Sequence, residues 1–537
     1  MALAIVVVYV CVASQSTLWD RDETYYARVA VEMVDSGDYL IPMFNGKPWL
    51  EKPPMLYWFM SIPMRILGDG EFACRLCSVV ATVGTLVVIS VMGRRLFSPT
   101  AGLWAMLVYS LSVMTIVLGT LVSADPPLML FMALAMAAFL RSLEPGHFAL
   151  SAVVLVACLA VAALIKGPMV LLALGVMAMG MVVNRRYDWC TTRNAVLWTV
   201  ALGGAILAFA AWAMPVDRAT QGQLTDEFLG RHVVGRIAQP MQHHGGHDLL
   251  FLPYYVPVVL LGFFPWTLYL PGVVSAVLGG RVGGYRFRNL FLVWVLAPLI
   301  LMTLVATKLP HYIFFIWPPL SLALGGSIDA AANDLLSERD RRWFRRGVIY
   351  FTPAVLFFAV GLAIVPEYTR MPDLRPCCWI AAAIWTTAAV LSCRYQLQNR
   401  IAASTTVLAI AMAAFAGTIA FGILPAIEQV KIAPRVGQIV RERASPDTPV
   451  AVCGYAEPSL NFYIGRPIDT IRSQREMEAW AGASGSGLLL ITTDQLAWLD
   501  EHSRLSPAGS VRGIDYVSGR RLDVRLYLRT NDATVSP

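Results

Sequence analysis

Long apolar runs separated by short polar stretches set the plan of this chain. They lie near residues 2–16, 75–93, 101–120, 126–142, 148–165, 168–184, 195–214, 250–278, 289–306, 312–330, 347–366, 377–393 and 401–424. Each is roughly 15 to 25 residues long, enough for a helix to cross the hydrocarbon layer of a bilayer, so the pattern predicts about thirteen transmembrane helices. A charged interval from Trp19 to Tyr57 interrupts the series early. Inside it Tyr26, Val29, Ala30, Met33 and Val34 recur at helical spacing, which predicts an amphipathic helix lying in the membrane interface. After the last apolar run the pattern changes. A helical period covers 428–443, strand-like runs cover 449–455 and 487–493, and Leu522, Val524, Leu526 and Leu528 alternate, the signature of a small soluble α/β domain. The expected fold is therefore mainly α: a transmembrane domain over 1–425 with interfacial helices in its first outer loop, then a soluble domain over 426–537.

Composition agrees with the pattern. The 537 residues are 57% hydrophobic and 14% charged, outside the range of soluble proteins. A net charge of +7 would suggest nucleic acid in a soluble chain, but here the arginines sit between apolar runs, and no nucleic-acid role is assigned. Every second loop is rich in Arg, as at Arg94 and Arg95, Arg141, Arg185, Arg286 and Arg288, and Arg339 to Arg346. The positive-inside rule makes those loops cytoplasmic. The N-terminus then lies inside and the C-terminal domain outside, and Asp22, Asp125, the 217–248 loop and Lys308 to Tyr312 all share the outer face. The nine cysteines are scattered without metal-ligand spacing and establish neither a disulfide framework nor a zinc site. The first run, 2–13, lacks a basic segment before it and is read as a membrane helix rather than a cleaved signal peptide.

The candidate chemistry gathers on that outer face. Asp22 precedes the loop helix, where a carboxylate caps backbone N–H groups and stays ionised. Glu51 and Lys52 stand before Pro53 and Pro54, which fix φ and hold both on an extended segment beside the headgroup layer. Asp125 before Pro126 reads as an ordinary helix start. Lys308 in TKLPHY, and Lys166 in IKGP, have the reading of lysines that snorkel from a helix end. The loop after the seventh run holds His232, His243, His244 and His247. Histidines with carboxylates on one face can bind a divalent metal, yet no i, i+4 pair with a matched third ligand is visible.

Several motifs together resemble the GT-C fold glycosyltransferases that use polyprenyl-phosphate sugars, a group holding the protein O-mannosyltransferases and the bacterial aminoarabinose transferases that modify lipid A. They are Asp22-Glu23 at the head of the loop helix, NGKPWLEKPPMLYW from Asn45, SADPPL around Asp125, KGP at Lys166, PYYVPVVLLGFFPW from Pro253, TKLPHY near Lys308 and EPSLNFYIGRP from Glu457. The resemblance implies a membrane enzyme of the bacterial inner membrane, working at the periplasmic face. Its donor would be a polyprenyl-phosphate-linked sugar, and its acceptor a lipid such as lipid A or a protein. It implies that Asp22 and Asp125 are catalytic acids, that Lys52, Lys308 and Tyr312 bind the donor phosphate, and that Glu51, His232 and then His244 are the places for a metal, zinc or magnesium or manganese. Two departures stand in the first loop: Tyr25 occupies a position the aminoarabinose transferases usually give to Arg, and Trp49-Leu50 precede Glu51. These leave the chemistry in place and bear on the sugar and the acceptor.

A transporter or flippase is the reading from another class. It would put ionisable groups mid-span or repeat its halves, whereas the acids here lie at span ends and no repeat is evident.

Overall fold

The structure, a computed structural model, describes residues 2–185, 188–238, 253–499 and 505–529. The chain divides into two compact units. The first comprises Met1–Ser14, Tyr39–Ile41 and Leu50–Ile423, and the second comprises Gln15–Asp38, Pro42–Trp49 and Leu424–Pro537.

The first unit is helical. Among the described residues nine helices are long and apolar enough to cross a membrane, and eleven if two bent pairs each count as one span. The bent pairs are Pro99–Ser110 with Val113–Thr120, at 65°, and Tyr255–Gly262 with Trp266–Leu278, at 107°. Neither break is visible to hydropathy, because Leu111 and the pair Phe263-Phe264 keep the runs apolar through the bend. The two expected runs at 148–165 and 168–184 form one helical stretch, Phe148–Val183. It is interrupted where the helix Phe148–Lys166 gives way to a 3₁₀ turn, Gly167–Met169. Gly167 adopts φ +54°, and a Cβ there would lie 2.8 Å from the Phe228 ring, so both backbone and space require glycine. The first apolar run becomes the short helix Ala2–Ser14.

Helices pack closely where small residues meet. A Cβ on Gly102 would come within 2.4 Å of the Ser90 carbonyl oxygen, so the helices Glu71–Leu96 and Pro99–Ser110 touch backbone to backbone. Interfaces of this kind substitute for the hydrophobic drive that lipid does not supply.

The second unit carries two sheets. The first-loop residues form a ribbon of β1 (Met43–Phe44) and β2 (Lys47–Pro48). A five-stranded sheet has the order β4-β3-β5-β7-β6. In it β3 (Val450–Cys453) runs parallel to β4 (Ile468–Ile471) and to β5 (Gly487–Thr492). The long β6 (Leu505–Asp515) and β7 (Arg520–Arg529) form an antiparallel pair, with β7 also antiparallel to β5. Strands β3 and β5 are buried at every residue, which is why they read as plain apolar runs, while β4 is half exposed and β6 has only two buried residues, and neither gave a strand signal. The predicted amphipathic helix is present as Asp22–Ser36, with Val29, Ala30 and Met33 buried. It packs on the short helix Pro458–Ile464.

Candidate functional site

Within the first unit a line of polar side chains gathers at one end of the helices. The helix Asp125–Ser142 starts there, and its neighbour Phe148–Lys166 ends there. Their terminal residues meet: Lys166 Nζ donates to Asp125 Oδ1 at 2.6 Å, with both side chains buried. Ser123 Oγ donates to Asp125 Oδ2 at 3.1 Å and accepts from the Asp125 backbone N–H, so the carboxylate is held from two sides. His311 lies within electrostatic reach of the same carboxylate.

The Lys166 ammonium also stands 5.8 Å from the centre of the Tyr312 ring, a cation–π geometry. Tyr312 Oη accepts a hydrogen bond from Arg236 at 2.9 Å. Arg236 follows a wide π-helical segment, Thr225–Gly235, that presents His232 four residues earlier. Such segments are uncommon and often carry functional side chains. His232 Nε2 lies 3.5 Å from Glu51 Oε1. Lys52 is buried, and the two buried prolines after it lead into the helix Met55–Leu67. Burial first, then the charges of Arg236, Lys52 and Arg231, push the His232 imidazole down to about 4, so it is neutral at physiological pH. Lys308 is buried with its ammonium donating to the carbonyls of Thr303 and Val305, at 2.7 and 2.8 Å, where the helix Gly284–Leu304 ends. Burial lowers its pKa.

This end of the unit thus carries four cations, Lys52, Lys166, Arg236 and Lys308, and the two carboxylates of Glu51 and Asp125. Lys166 is in a short ion pair with Asp125. Arg236 Nε and His232 Nδ1 are buried without a hydrogen-bond partner among the described residues. A surplus of positive charge with an unspent guanidinium donor fits a phosphate. For a metal, Glu51 and the neutral His232 form a two-donor pair, and no group of three ligating side chains exists among the described residues. The pair fits an ion that takes its remaining ligands from elsewhere. His244 lies outside the described residues.

Asp22 belongs to the second unit. It is the first residue of its helix and is exposed, and the capping position falls instead to Arg21, at φ 66° and with no side-chain cap. The expectation that Asp22 caps the helix is corrected accordingly, since Glu23 takes the local backbone bond, accepting from the Trp19 N–H at 2.8 Å. The strap before Asp22 is pinned at each residue by others of its own unit. Lys431 donates to the Thr17 carbonyl at 2.8 Å and lies 4.0 Å from the centre of the Trp19 ring. The Leu18 N–H donates to Tyr463 Oη at 2.6 Å. Asp20 accepts from the Ser459 N–H at 3.1 Å, its own N–H donates to Tyr516 Oη at 2.9 Å, and Arg21 stands 3.9 Å from Glu457. Further along, Asn45 bonds both backbone groups of Ile468, and Glu32 accepts from the Asn45 and Gly46 N–H groups.

Of the residues singled out in the sequence, Glu51, Lys52, Asp125, His232, Lys308 and Tyr312 fall in this end of the first unit. Lys166, read as a snorkelling lysine, proves to be the ion-pair partner of Asp125. Arg236 has one signal in the sequence, a cation one helical turn after His232 in the loop that follows the seventh apolar run.

The family model for dolichyl-phosphate-mannose-protein mannosyltransferases matches residues 51–214. Among curated proteins, the undecaprenyl phosphate-alpha-4-amino-4-deoxy-L-arabinose arabinosyl transferase of Edwardsiella ictaluri is 30% identical over 349 residues, 62% of this chain and 60% of that protein. The enzyme of the same description from Yersinia pestis is 27% identical over 417 residues, 74% of this chain and 72% of its own. The match therefore spans less than two thirds of the Edwardsiella protein. Among solved structures, ArnT from Cupriavidus metallidurans bound to undecaprenyl phosphate has a TM-score of 0.79 at 18% identity, covering 100% of this chain and 98% of that one. An archaeal oligosaccharyltransferase, AglB from Archaeoglobus fulgidus, reaches 0.51 at 12% identity, over 92% of this chain and 69% of its own. The chain thus shares the fold of ArnT and is similar in sequence to the aminoarabinose transferases and, over residues 51–214, to the mannosyltransferase model.

Proposed function

We propose that this protein transfers a sugar, 4-amino-4-deoxy-L-arabinose or a close relative, from a polyprenyl phosphate to an envelope acceptor such as lipid A, at the periplasmic face of a bacterial inner membrane. The observation that carries the reading is the cluster of cations around Arg236, whose buried Nε has no hydrogen-bond partner among the described residues. In the reaction the bond between the sugar C1 and the donor phosphate oxygen breaks, and a bond from an acceptor oxygen to C1 forms. Negative charge develops on the departing phosphate, and Lys52 and Arg236 are the groups to receive it in a partly dry site. Lys308, with two of its N–H groups on backbone carbonyls, supports the turn that carries Tyr312. Asp125, held by Lys166 and Ser123, is an ionised acid at the same end of the helices.

Asp22 is assigned as the general base if the acceptor is a hydroxyl, taking its proton as the new bond forms. An acceptor that is already a phosphate needs no base, and Asp22 then orients it. Glu51 and His232 would hold a divalent ion, which when bound offsets repulsion between donor and acceptor phosphates. An apolar groove of about 440 Å³, lined among others by Phe59, Ile66, Val80 and Phe131, is a fitting place for the prenyl chain.

Thirteen spans follow if the 36-residue stretch Phe148–Val183 counts twice and the helix Leu3–Ser14 counts once. Thirty-six helical residues would reach about 54 Å, far beyond a hydrocarbon layer of about 30 Å, and Gly167 supplies the break. The Arg-rich loops then face the cytoplasm, and the 426–537 domain lies in the periplasm.

The test is transfer from a synthetic undecaprenyl-phosphate aminoarabinose to lipid A by the purified protein, with Asp22→Asn and Lys52→Ala as controls for the site. Both variants are expected to fold and to lose turnover, and retained turnover in both overturns the assignment. A second reading, transfer to protein, is favoured by the mannosyltransferase model over 51–214. Mass spectrometry of envelope lipids and glycoproteins from cells with and without the gene separates the two by which class loses a glycosyl mass.

A further inference from the structure

A polar cavity lies at the opposite end of the helix Asp125–Ser142 from the site described above. Arg141 stands sixteen residues after Asp125 on that helix, about 24 Å along its axis, so the cavity is separate from the polar cluster around Asp125. It has a volume of about 310 Å³, and three guanidinium groups from three different helices line it: Arg95, Arg141 and Arg286. Arg95 lies in the last turn of Glu71–Leu96, Arg141 in the last turn of Asp125–Ser142, and Arg286 in the first turn of Gly284–Leu304.

The charges do not cancel. Among the described residues Glu144 is the one carboxylate in the lining, and it is paired with Arg141, which also meets His147. Arg286 lies against the face of Trp189 at 4.9 Å from the ring centre. Its position is electrostatically unfavourable, because the amino end of a helix carries partial positive charge and repels a cation. An anion in the cavity would offset that repulsion. Arg95 and Arg141 sit at helix carboxyl ends, where cations are welcome, so they alone would need no ligand.

The walls identify the anion. Between the arginines the lining is made of Val91, Leu140, Phe287 and Leu290, side chains of the membrane-crossing helices themselves. A free phosphate would find apolar surface on one side of it. A lipid phosphate, with its acyl chains continuing down those side chains, satisfies both halves of the cavity, and basic pockets between helices at a membrane boundary are built this way.

We propose that this cavity binds the phosphate of an anionic phospholipid from the leaflet at the arginine-rich end of the helices. Phosphatidylglycerol is the probe. The full-length protein, delipidated in detergent, is mixed with phosphatidylglycerol, phosphatidylcholine, or glycerol 3-phosphate, and read by native mass spectrometry and by melting temperature. Phosphatidylglycerol is expected to remain as a bound adduct and to raise the melting temperature, while the other two do neither. Arg95→Gln with Arg286→Gln is expected to lose both adduct and shift. Should the double variant not fold, Arg95→Gln alone, at an exposed position, is expected to weaken the adduct. An equal response to phosphatidylcholine, a response reproduced by glycerol 3-phosphate alone, or an adduct unchanged in the variants overturns the proposal.

Discussion

Lys166 and Asp125 close a buried ion pair 2.6 Å long between the end of one membrane helix and the start of its neighbour. Removing one member of such a pair strands the other charge, at a cost of about 3 to 5 kcal/mol, whereas replacing both together is far less damaging. Asp125→Ala and Lys166→Ala should each lower the melting temperature in detergent, and Asp125→Asn with Lys166→Met should recover much of the loss. Activity should not recover in the double variant. That split between stability and turnover distinguishes a reacting pair from a purely architectural one.

The depressed His232 gives a pH dependence of definite sign. Its folded pKa, about 4, lies below the ordinary 6.5. The stability it contributes is complete above the unfolded value and is lost as pH falls from about 6.5 through 4. A melting series from pH 7.5 to 4 should therefore show a decline that is shallower in His232→Asn. If Glu51 and His232 hold an ion, the same variant should also weaken binding of added zinc or manganese, measured by calorimetry.

Glu457 has the opposite slope. Burial first, then the Asp20 carboxylate, raise it to about 7, with Arg21 opposing and Asp515 adding a smaller upward push. A carboxyl raised in the folded state contributes stability below its ordinary pKa near 4.5 and loses it as pH rises through 7. Glu457→Gln should make the protein more resistant to heat at pH 8 and leave it nearly unchanged at pH 5.

The strap of residues 17–21 carries a prediction of its own. Lys431 is buried and touches Thr17, Trp19 and Glu428. Lys431→Met keeps the bulk but removes these bonds, and should lower turnover by loosening the approach to Asp22. Donor binding, assigned under the proposed function to Lys52 and Arg236, should be nearly unaffected, so kcat falls while KM holds.

Gly102 tests the helix packing. Its Cβ would strike the Ser90 carbonyl, and overpacking of this sort costs about 1 to 3 kcal/mol. Gly102→Ala should melt earlier than the native protein, and Gly175→Ala, where a Cβ meets nothing within 4 Å, should not.

Much of this molecule was legible in advance because bilayer-crossing helices need unbroken apolar sequence, and the helix Asp22–Ser36 because its buried face repeats every three to four residues. The bends escaped notice for the same reason: Leu111 and Phe263 are as apolar as the helices they separate. In the candidate site, Glu51, Lys52 and Asp125 stood out beside prolines that fix the backbone. The partnership of Lys166 with Asp125 joins residues 41 apart, and spacing along the chain carries no trace of it. Arg236 was hidden by a π-helical segment whose period matches neither helix nor strand pattern.

The second unit is drawn from two stretches nearly four hundred residues apart, and that dictates an order of assembly. At a synthesis rate of about 5 to 20 residues per second, the first loop leaves the ribosome roughly 20 to 80 seconds before the strands it will join. Residues 424–537 expressed alone would lack the stretch that Lys431, Tyr463 and Ser459 grip, so a soluble version should need residues 15–49 fused to it through a flexible tether.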